Sequence, residues 1–215
     1  MRSKIKRVYY AAYGSNLNHK RFLCYIRGGT PEGALGYDQG CQQNIPLPQD
    51  RGAIGIPYAL YFSESSKRWQ GAVAFLRTKP NKRAKTLGRK YLLTESQFVD
   101  VFKQENGIDV NEDLTLNLEK KSSFYVNNHW YGRIIYLGQD RGISIFTFTG
   151  PRKNVLKIPS NNYLKHIIKG LRQVYEMSDL EILKYLIHKS GIRGNISSEN
   201  MRDLIKSITE EENNV

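Results

Sequence analysis

The spacing of hydrophobic residues changes late in the chain. Before Pro159, short runs of β-branched and aromatic residues, such as IKRVYYAA at 5–12, alternate with stretches rich in Gly, Pro and Asn, a pattern typical of strands joined by turns. After Pro159, apolar residues including Leu164, Ile168 and Leu171 recur at the three- to four-residue spacing of an amphipathic helix. We therefore predict an α+β fold with a strand-rich body followed by helices.

The strand pattern is clearest in a set of short segments. We predict strands at 5–12, 57–62, 71–76, 87–94, 122–127, 130–138 and 143–149. Asn127-Asn128 and the GQDRG sequence are typical turns between the last three. Residues 30–56 show no sustained period and are rich in Gly, Pro, Asp and Gln, so we predict a long loop there, which in a compact domain is often functional.

Several helices are predicted, each opened by a residue typical of an N-cap. The clearest case is the capping box TESQ, in which Gln97 stands three residues after Thr94 and predicts a helix that runs to about Glu105. The other helices are predicted to begin at Ser15 or Asn16, at Ser160, at the SDLE box of 178–181 and near residue 198.

A length of 215 residues is typical of one domain, and no linker-like segment interrupts the chain. We predict a domain at 1–175 and a helical C-terminal extension at 176–215 that packs on the same domain. The alternative for this extension is a helix-turn-helix formed by the two short helices around GIRGN. Their connection is longer than the three- to four-residue turn of that motif, which favours packing on the domain.

Composition argues against several classes of protein. The apolar runs are short and interrupted by Lys or Arg, so we expect no membrane span. The basic start MRSKIKRVYY lacks the apolar segment of a secretory signal, so we expect a cytoplasmic protein. The two cysteines and four histidines are scattered without the spacing of metal ligands, and we predict reduced thiols and no metal site.

The net charge of +13 is concentrated in the first half of the chain. Residues 1–107 contain 18 Lys and Arg against 7 Asp and Glu, while residues 108–215 contain 15 against 13. The densest stretch is RTKPNKRAKTLGRK at 77–90, with seven basic residues in fourteen. Such a patch attracts polyanions, including nucleic acid. It lacks interleaved aromatic residues, so a solvated loop that keeps the protein soluble is the favoured interpretation.

The first feature that can carry chemistry is YGSNL, Tyr13 to Leu17, between a predicted strand and a predicted helix. Gly14 lets the backbone turn sharply, and the N–H groups of the following residues would then point outward at a helix start. That geometry binds carboxylates and stabilises oxyanions. An ordinary strand–turn–helix cap explains the same residues, because Ser and Asn are frequent capping residues.

The second feature is Glu105, at the end of the helix opened by Thr94. It stands seven residues after Phe98 and four after Val101, so it points in the direction of the apolar face. Burial and the negative end of the helix dipole would both raise its pKa, and a carboxyl group with a raised pKa suits general acid/base catalysis. The alternative is a solvated Glu105 in a frayed last turn, or one paired with a basic side chain.

The chain resembles the gamma-glutamylcyclotransferase-like family in five segments that occur in the same order. They are YGSNL, PYALYFSESSKRWQGAVAFL, the LGRKYLLT strand, a helix that ends in an acidic residue, and PSNNYLKHIIKGL, and together they span about residues 8–172. The resemblance implies a small mixed β-barrel flanked by helices. It also implies an enzyme that cyclises a gamma-glutamyl compound to 5-oxoproline and releases an amine or an amino acid, without metal or cofactor.

The resemblance also implies roles for individual residues. Glu105 is implied to be the catalytic general acid/base, and Tyr163, in the PSNNY sequence, a substrate-side residue. The glutamyl group and the oxyanion are implied to bind at the turn made by Tyr13, Gly14, Ser15, Asn16 and Leu17.

Two positions depart from the family pattern. Glu105-Asn106-Gly107 replaces a Glu-Gly pair, a change that would shift the carboxylate. Gln70-Gly71 replaces paired glycines after a tryptophan, a change that would narrow the pocket. Glu95 and Glu112 are weaker competitors for the catalytic role, because neither ends the apolar face of a helix.

The expected partner is a small gamma-glutamyl substrate, bound by a monomer or a homodimer that does not contact a membrane. The identity of the leaving amine stays open, because the variable loops would bind it. The alternative is a catalytically inactive binding protein on the same fold, which would use its basic surface for nucleic acid or an acidic partner. Nucleic acid is the less favoured partner, because a glutamyl pocket needs no large basic surface.

Overall fold

A computed structural model describes residues 5–43, 46–151 and 155–213. These residues form the strands β1 (Arg7–Ala12), β2 (Gln49–Ile56), β3 (Leu60–Ser66), β4 (Gly71–Leu76), β5 (Thr86–Thr94), β6 (Phe124–Tyr125), β7 (Arg133–Asp140) and β8 (Ile143–Thr149). The helices are α1 (His19–Arg27), α2 (Glu95–Glu105), α3 (Asn161–Tyr175), α4 (Asp179–Leu186) and α5 (Ser198–Asn213), with a short 3-10 helix at Gly14–Leu17.

The larger sheet has six strands in the order β2-β5-β1-β8-β7-β6 and curls into a half-barrel. β1 lies near its centre, antiparallel to β5 and parallel to β8. A strand covered on both faces needs apolar side chains on both, and residues 8–12 are all buried. The hairpin β3–β4 forms a separate two-stranded sheet. This architecture confirms the predicted α+β fold, a curled sheet flanked by helices.

Aromatic rings dominate the core. Tyr10 of β1 stacks on Phe148 of β8 with ring centroids 5.0 Å apart, and Phe98 of α2 packs edge-on against both rings. The capping box predicted at Thr94 is formed, because its hydroxyl accepts from the Gln97 N–H at 3.1 Å while the Gln97 side chain accepts from the Thr94 N–H. The capped start and the buried aromatic face together fix the position of the last turn of α2.

One predicted loop contains a strand. Residues 49–56, inside the predicted loop 30–56, form β2, which pairs antiparallel with β5 at the edge of the sheet. Most of this strand is exposed, and its sequence QDRGAIGI lacks the regular alternation of a half-buried strand. An edge strand with charged side chains cannot be predicted from the spacing of hydrophobic residues.

The start of the first helix also differs from the prediction. Residues 14–17 form a 3-10 helix, and α1 begins only after it, at His19. The N-cap of α1 is Asn18, whose Oδ1 accepts from the N–H groups of Lys20 and Arg21. Ser15 and Asn16, the predicted caps, are therefore left free of that role and lie within the preceding turn.

α3 packs directly on this turn. A Cβ at Gly170 would stand 2.3 Å from the Cβ of Leu17, which explains a glycine in the middle of this helix. Ser160 caps α3 as predicted, by accepting from the Tyr163 N–H. The predicted apolar face is buried: Leu164, Ile167, Ile168 and Leu171.

α4 and α5 continue this packing. The Tyr185 hydroxyl of α4 accepts from the Leu87 N–H of β5 at 3.0 Å, so the tail is hydrogen-bonded to the sheet. The apolar face of α5, with Met201, Ile205 and Ile208, is buried. In a helix-turn-helix, α5 would be the second helix, and its apolar face is covered here. Among the described residues, no helix is both long and apolar enough to cross a membrane.

Candidate active site

β1 leads into a tight turn at residues 13–17. Gly14 has φ +68°, a left-handed backbone conformation that favours glycine. A side chain would also find no space, because a Cβ on Gly14 would lie 2.7 Å from the Tyr163 hydroxyl oxygen and 3.0 Å from the Ala74 Cβ. The first N–H groups of a helical turn have no partner within the turn. The 13–17 turn is therefore sterically fixed and begins with backbone donors.

A cavity of about 190 Å³ opens beside the turn. Most of the predicted site residues line it: Tyr13, Ser15, Asn16, Glu105 and Tyr163. The two others lie behind the wall, since Gly14 shapes the turn and Leu17 is buried against α3. Aromatic residues that sequence reasoning did not single out complete much of the wall: Tyr10, Tyr25, Trp69, Trp130, Tyr131 and Phe148.

The Glu105 carboxylate meets the turn in this cavity. Its Oε1 accepts from Asn16 Nδ2 at 2.8 Å, and the same amide nitrogen donates to the Tyr10 hydroxyl at 3.2 Å. Burial raises the pKa of Glu105, while the positive charge of Arg21 and hydrogen bonds from Asn16 and Tyr25 lower it part of the way back. A carboxyl group with a raised pKa exchanges protons near neutral pH more readily than an ordinary glutamate.

Three tyrosine hydroxyls at the cavity are held by backbone groups. The Tyr163 hydroxyl accepts from the Ala74 N–H at 3.1 Å and also interacts with Ser15 of the turn. The Tyr131 hydroxyl donates to the carbonyl of the same Ala74 at 2.9 Å, and the Tyr13 hydroxyl donates to the Phe148 carbonyl at 2.8 Å. Burial raises the pKa of Tyr163 to about 12, so this side chain is a donor at neutral pH.

The departure Glu105-Asn106-Gly107 has a structural role. Asn106 ends α2: its Nδ2 donates to the Phe102 carbonyl at 2.8 Å, and its Oδ1 accepts from the Tyr131 N–H at 3.0 Å. Gly107, with φ +66°, then turns the chain away. The added Asn therefore ties the end of the helix that carries Glu105 to another segment of the cavity wall.

The departure Gln70-Gly71 lies outside the cavity wall. Gln70 is exposed, with φ +54°. Gly71 starts β4 so close to α3 that a Cβ there would lie 2.6 Å from the Ser160 backbone nitrogen. The second position of the pair therefore requires glycine, whereas the first tolerates a side chain that faces solvent.

Sequence reasoning missed a charged cluster at the cavity. We call Arg21, Asp38 and Arg68 the arginine cluster: Asp38 accepts from Arg21 at 2.8 Å and from both terminal nitrogens of Arg68 at 2.7 and 2.8 Å. Both arginines line the cavity. The three residues come from α1, from the segment after it and from the β3–β4 turn, so no local pattern marks them. One local indication was available: Arg21 stands four residues before the buried Tyr25 on the same helix, so the two side chains lie on one face and Arg21 is expected to be buried too.

Cys24 and Cys41 are both free thiols, and burial raises the pKa of each. Within residues 5–43, 46–151 and 155–213, no three His, Cys, Asp or Glu side chains are grouped so as to hold a metal ion.

Two solved structures share the fold of this chain. One is a gamma-glutamyl cyclotransferase, with a TM-score of 0.54, and the other an uncharacterised protein from Homo sapiens, with a TM-score of 0.53. Each is 16% identical in sequence, and each superposition covers 94% of this chain and 99% of the other. The half-barrel and its helices are therefore the fold of a gamma-glutamyl cyclotransferase.

Sequence comparison finds a different relative. The chain is 34% identical over 199 residues to Histone deacetylase 5 from Arabidopsis thaliana. The match covers 83% of this chain but 30% of the plant protein, so the name of that protein describes a much longer chain. No protein-family model matches the chain.

Proposed function

We propose that this protein cyclises a gamma-glutamyl compound to 5-oxoproline and releases an amine or an amino acid. The observation that carries the proposal is the position of Glu105. Its carboxylate shares one cavity with the turn residues Ser15 and Asn16 and lies 2.8 Å from the Asn16 amide nitrogen. The fold shared with a gamma-glutamyl cyclotransferase supports the same class of reaction.

The reaction rearranges one molecule. The α-nitrogen of the substrate attacks its own γ-carbonyl carbon, a C–N bond closes a five-membered ring, and the original amide C–N bond breaks. The attacking ammonium loses two protons as it becomes the ring N–H, and the leaving nitrogen gains two as it becomes an ammonium. Glu105 relays protons between the two nitrogens and returns to its starting state. Because both reacting groups belong to one molecule, a folded bound conformer supplies much of the rate.

The 13–17 turn has the complementary role. Its backbone N–H groups would hold the glutamyl carboxylate and stabilise the oxyanion of the tetrahedral intermediate. In related acyl-transfer chemistry, the loss of one such donor costs about 2.7–4 kcal/mol. The Tyr163 hydroxyl, whose oxygen already accepts from the Ala74 N–H, would add a donor on the same side of the substrate.

The test is release of 5-oxoproline by the purified protein from a panel of gamma-glutamyl amino acids and amines, measured by chromatography. Glu105→Gln is expected to lower kcat by about 10²- to 10⁴-fold, the usual contribution of a positioned acid/base. The matched controls are Glu95→Gln, about 15 Å away at the other end of the same helix, and Glu112→Gln, which is exposed. Full activity of the Glu105 variant would contradict the proposal.

A second candidate function is the binding of a polyanion by the basic loop, residues 77–85. Its five cations, Arg77, Lys79, Lys82, Arg83 and Lys85, form no ion pair with any described residue. The remaining two basic residues of the run, Arg89 and Lys90, lie on β5 and are paired with Asp50 and Asp140. The Arg77 guanidinium lies over the Tyr61 ring, 4.3 Å from its centroid, so the charge of the 77–90 run that a polyanion could meet is mainly that of the four lysine and arginine residues that follow in the loop.

Double-stranded oligonucleotide binding tests this second candidate. We expect a fluorescence anisotropy signal at about 50 mM salt that falls steeply toward 200 mM, because released counterions drive such binding. The triple variant Lys82→Gln, Arg83→Gln, Lys85→Gln should lower the salt dependence, while Glu105→Gln should leave it unchanged. No signal at about 50 mM salt would remove this candidate.

A further inference from the structure

We infer that the arginine cluster forms an anion subsite at the mouth of the cavity, which binds a carboxylate on the leaving part of the substrate. The inference rests on the proposed function, because it names the class of substrate that the same cavity would take. It concerns a feature of this chain that neither the 13–17 turn nor Glu105 supplies: a fixed positive charge next to the reaction centre.

The cluster is rigid before any ligand arrives. Asp38 is held from two sides, by Arg21 at 2.8 Å and by both terminal nitrogens of Arg68. The side chains of Arg21 and Asp38 are 1% and 2% exposed, whereas that of Arg68 is 25% exposed. The Arg21 guanidinium also lies over the Tyr25 ring, 4.1 Å from its centroid. Arg68 is thus the member of the cluster that a ligand can reach.

The cluster carries an unbalanced charge. Two guanidinium groups, which stay protonated in proteins, share the single carboxylate of Asp38, so the three residues by themselves carry one excess positive charge. Glu105 is a further acid that interacts electrostatically with Arg21, and it offsets this charge only when it is ionised. The Nε atoms of both arginines are buried and have no hydrogen-bond partner among the described residues. A buried charge without full compensation is costly. A bound carboxylate would balance it, and the planar guanidinium suits that ligand.

The position of Arg68 identifies which part of a substrate it would meet. Arg68 and Gln104 line both the cavity and an outer depression of about 330 Å³, whose wall also includes Tyr37, Gln39, Ile108 and Asp109. Glu105, next to Gln104 in the chain, marks the reacting bond on the cavity side. The leaving group therefore extends past Arg68 into the depression, while the glutamyl carboxylate stays at the 13–17 turn.

Two acidic residues line the outer depression, Asp38 of the cluster and Asp109, and Asp109 does not neutralise this subsite. Asp109 accepts from the backbone and side-chain N–H groups of Asn111 and from Gln39 Nε2 at 3.4 Å. These hydrogen bonds lower its pKa and hold the carboxylate toward its own loop. Arg68 and Asp109 thus form two separately held charges across the depression, and Arg68 is the one shared with the cavity.

A pair of ligands that differ in one group tests the inference. Gamma-glutamylalanine and gamma-glutamylethylamine are identical except for the carboxylate of the leaving group. In the Glu105→Gln protein, where turnover is strongly slowed, calorimetry should give a Kd about tenfold lower for gamma-glutamylalanine, equivalent to about 1.4 kcal/mol. Equal Kd values for the two ligands would overturn the inference without any change at Arg68.

The Arg68→Gln change, added to the same protein, should abolish the tenfold preference and leave the Kd of gamma-glutamylethylamine unchanged. Arg77→Gln, in the basic loop, is the control and should keep the preference. Equal weakening of both ligands by Arg68→Gln would overturn the assignment, because Arg68 would then hold the glutamyl carboxylate. If Arg68→Gln does not fold, Arg68→Lys, which keeps the charge but loses the planar fork, should retain part of the preference.

The cyclisation itself is followed separately, as 5-oxoproline release by the protein with Glu105 intact. Selective binding of gamma-glutamylalanine without release of 5-oxoproline would overturn the proposed reaction but support the anion subsite. Release of 5-oxoproline without a preference for gamma-glutamylalanine would support the proposed reaction and overturn the anion subsite. No binding of either ligand would overturn both.

Discussion

The positive charge of this protein occurs in two contrasting regions, the arginine cluster and the basic loop at 77–85. In the cluster, two arginines are fixed around the buried carboxylate of Asp38 and line a cavity. In the loop, five cations face solvent or lie near it, without an ion-pair partner among the described residues. The sequence draws attention to the loop, whereas the structure places the cluster next to the candidate acid/base.

The difference between the two regions is one of dielectric surroundings. Two unit charges 4 Å apart interact by about 1 kcal/mol in water and about 4 kcal/mol at the effective dielectric constant near a protein surface. Salt screens the loop further, with a Debye length of about 8 Å at physiological ionic strength. A few enclosed charges therefore influence chemistry more than a larger number of solvated ones, and net charge is a poor guide to the site.

The largest expected effect comes from removing the shared carboxylate. Asp38→Asn leaves two arginines without their buried counter-charge, and the free energy of unfolding should fall by about 3–5 kcal/mol. The control is Asp140→Asn, which breaks the partly exposed pair with Lys90 and should cost about 0–1 kcal/mol. Urea denaturation of both variants measures the contrast. Similar losses of unfolding free energy in the two variants would show that burial does not make the Asp38 ion pairs more important for stability than the exposed pair.

A smaller effect is expected at Glu105, and it depends on pH. Burial raises the pKa of Glu105 above that of the unfolded chain, so the folded state keeps this proton at pH values where the unfolded chain has lost it. The free energy of unfolding therefore falls as the pH rises from the unfolded pKa through the folded one. Each unit of raised pKa corresponds to about 1.4 kcal/mol.

Glu105→Gln removes this proton and keeps an oxygen that can accept from Asn16 Nδ2. The variant should be more stable than the unchanged protein above the folded pKa, and the gap should close as the pH falls below the unfolded value. Urea denaturation from pH 4 to pH 8 follows the difference. A gap that is constant across this range would show that the carboxyl group titrates alike in both states.

The smallest effect is expected in the basic loop. The triple change Lys82→Gln, Arg83→Gln, Lys85→Gln should alter the free energy of unfolding by less than about 0.5 kcal/mol, because exposed residues without partners contribute little. It should also leave the Kd preference for gamma-glutamylalanine unchanged. A large loss of stability would show that these side chains make stabilising contacts, and the loop would then not differ from the arginine cluster in the way described.

The parts of the fold that were predicted from sequence depend on local signals. The capping box at Thr94 and the apolar spacing of α2 are sufficient to orient Glu105 toward the core, because helix periodicity links sequence to direction. β2 was missed because an exposed edge strand has no such periodicity. The cap at Asn18 was missed because a 3-10 helix delays the start of α1.

The candidate site divides in the same way. The 13–17 turn and Glu105 were singled out by local patterns and by a family resemblance, and the structure brings them together in one cavity. Their catalytic roles remain proposals. Arg21, Asp38 and Arg68 were not singled out, because ion pairs between residues 17 and 30 positions apart leave no mark on a single sequence. Long-range pairing is decided by the topology, which only the folded chain displays.

The bond between Asn106 and Tyr131 has a consequence for measuring motion. The Tyr131 amide proton is buried and bonded to a side chain from the end of α2, not to a neighbour in a strand or helix. Such a proton exchanges with deuterium only when the two segments separate. Its exchange rate therefore reports the separation of the end of α2 from the cavity wall. A ligand that holds the wall closed would slow the exchange of this proton.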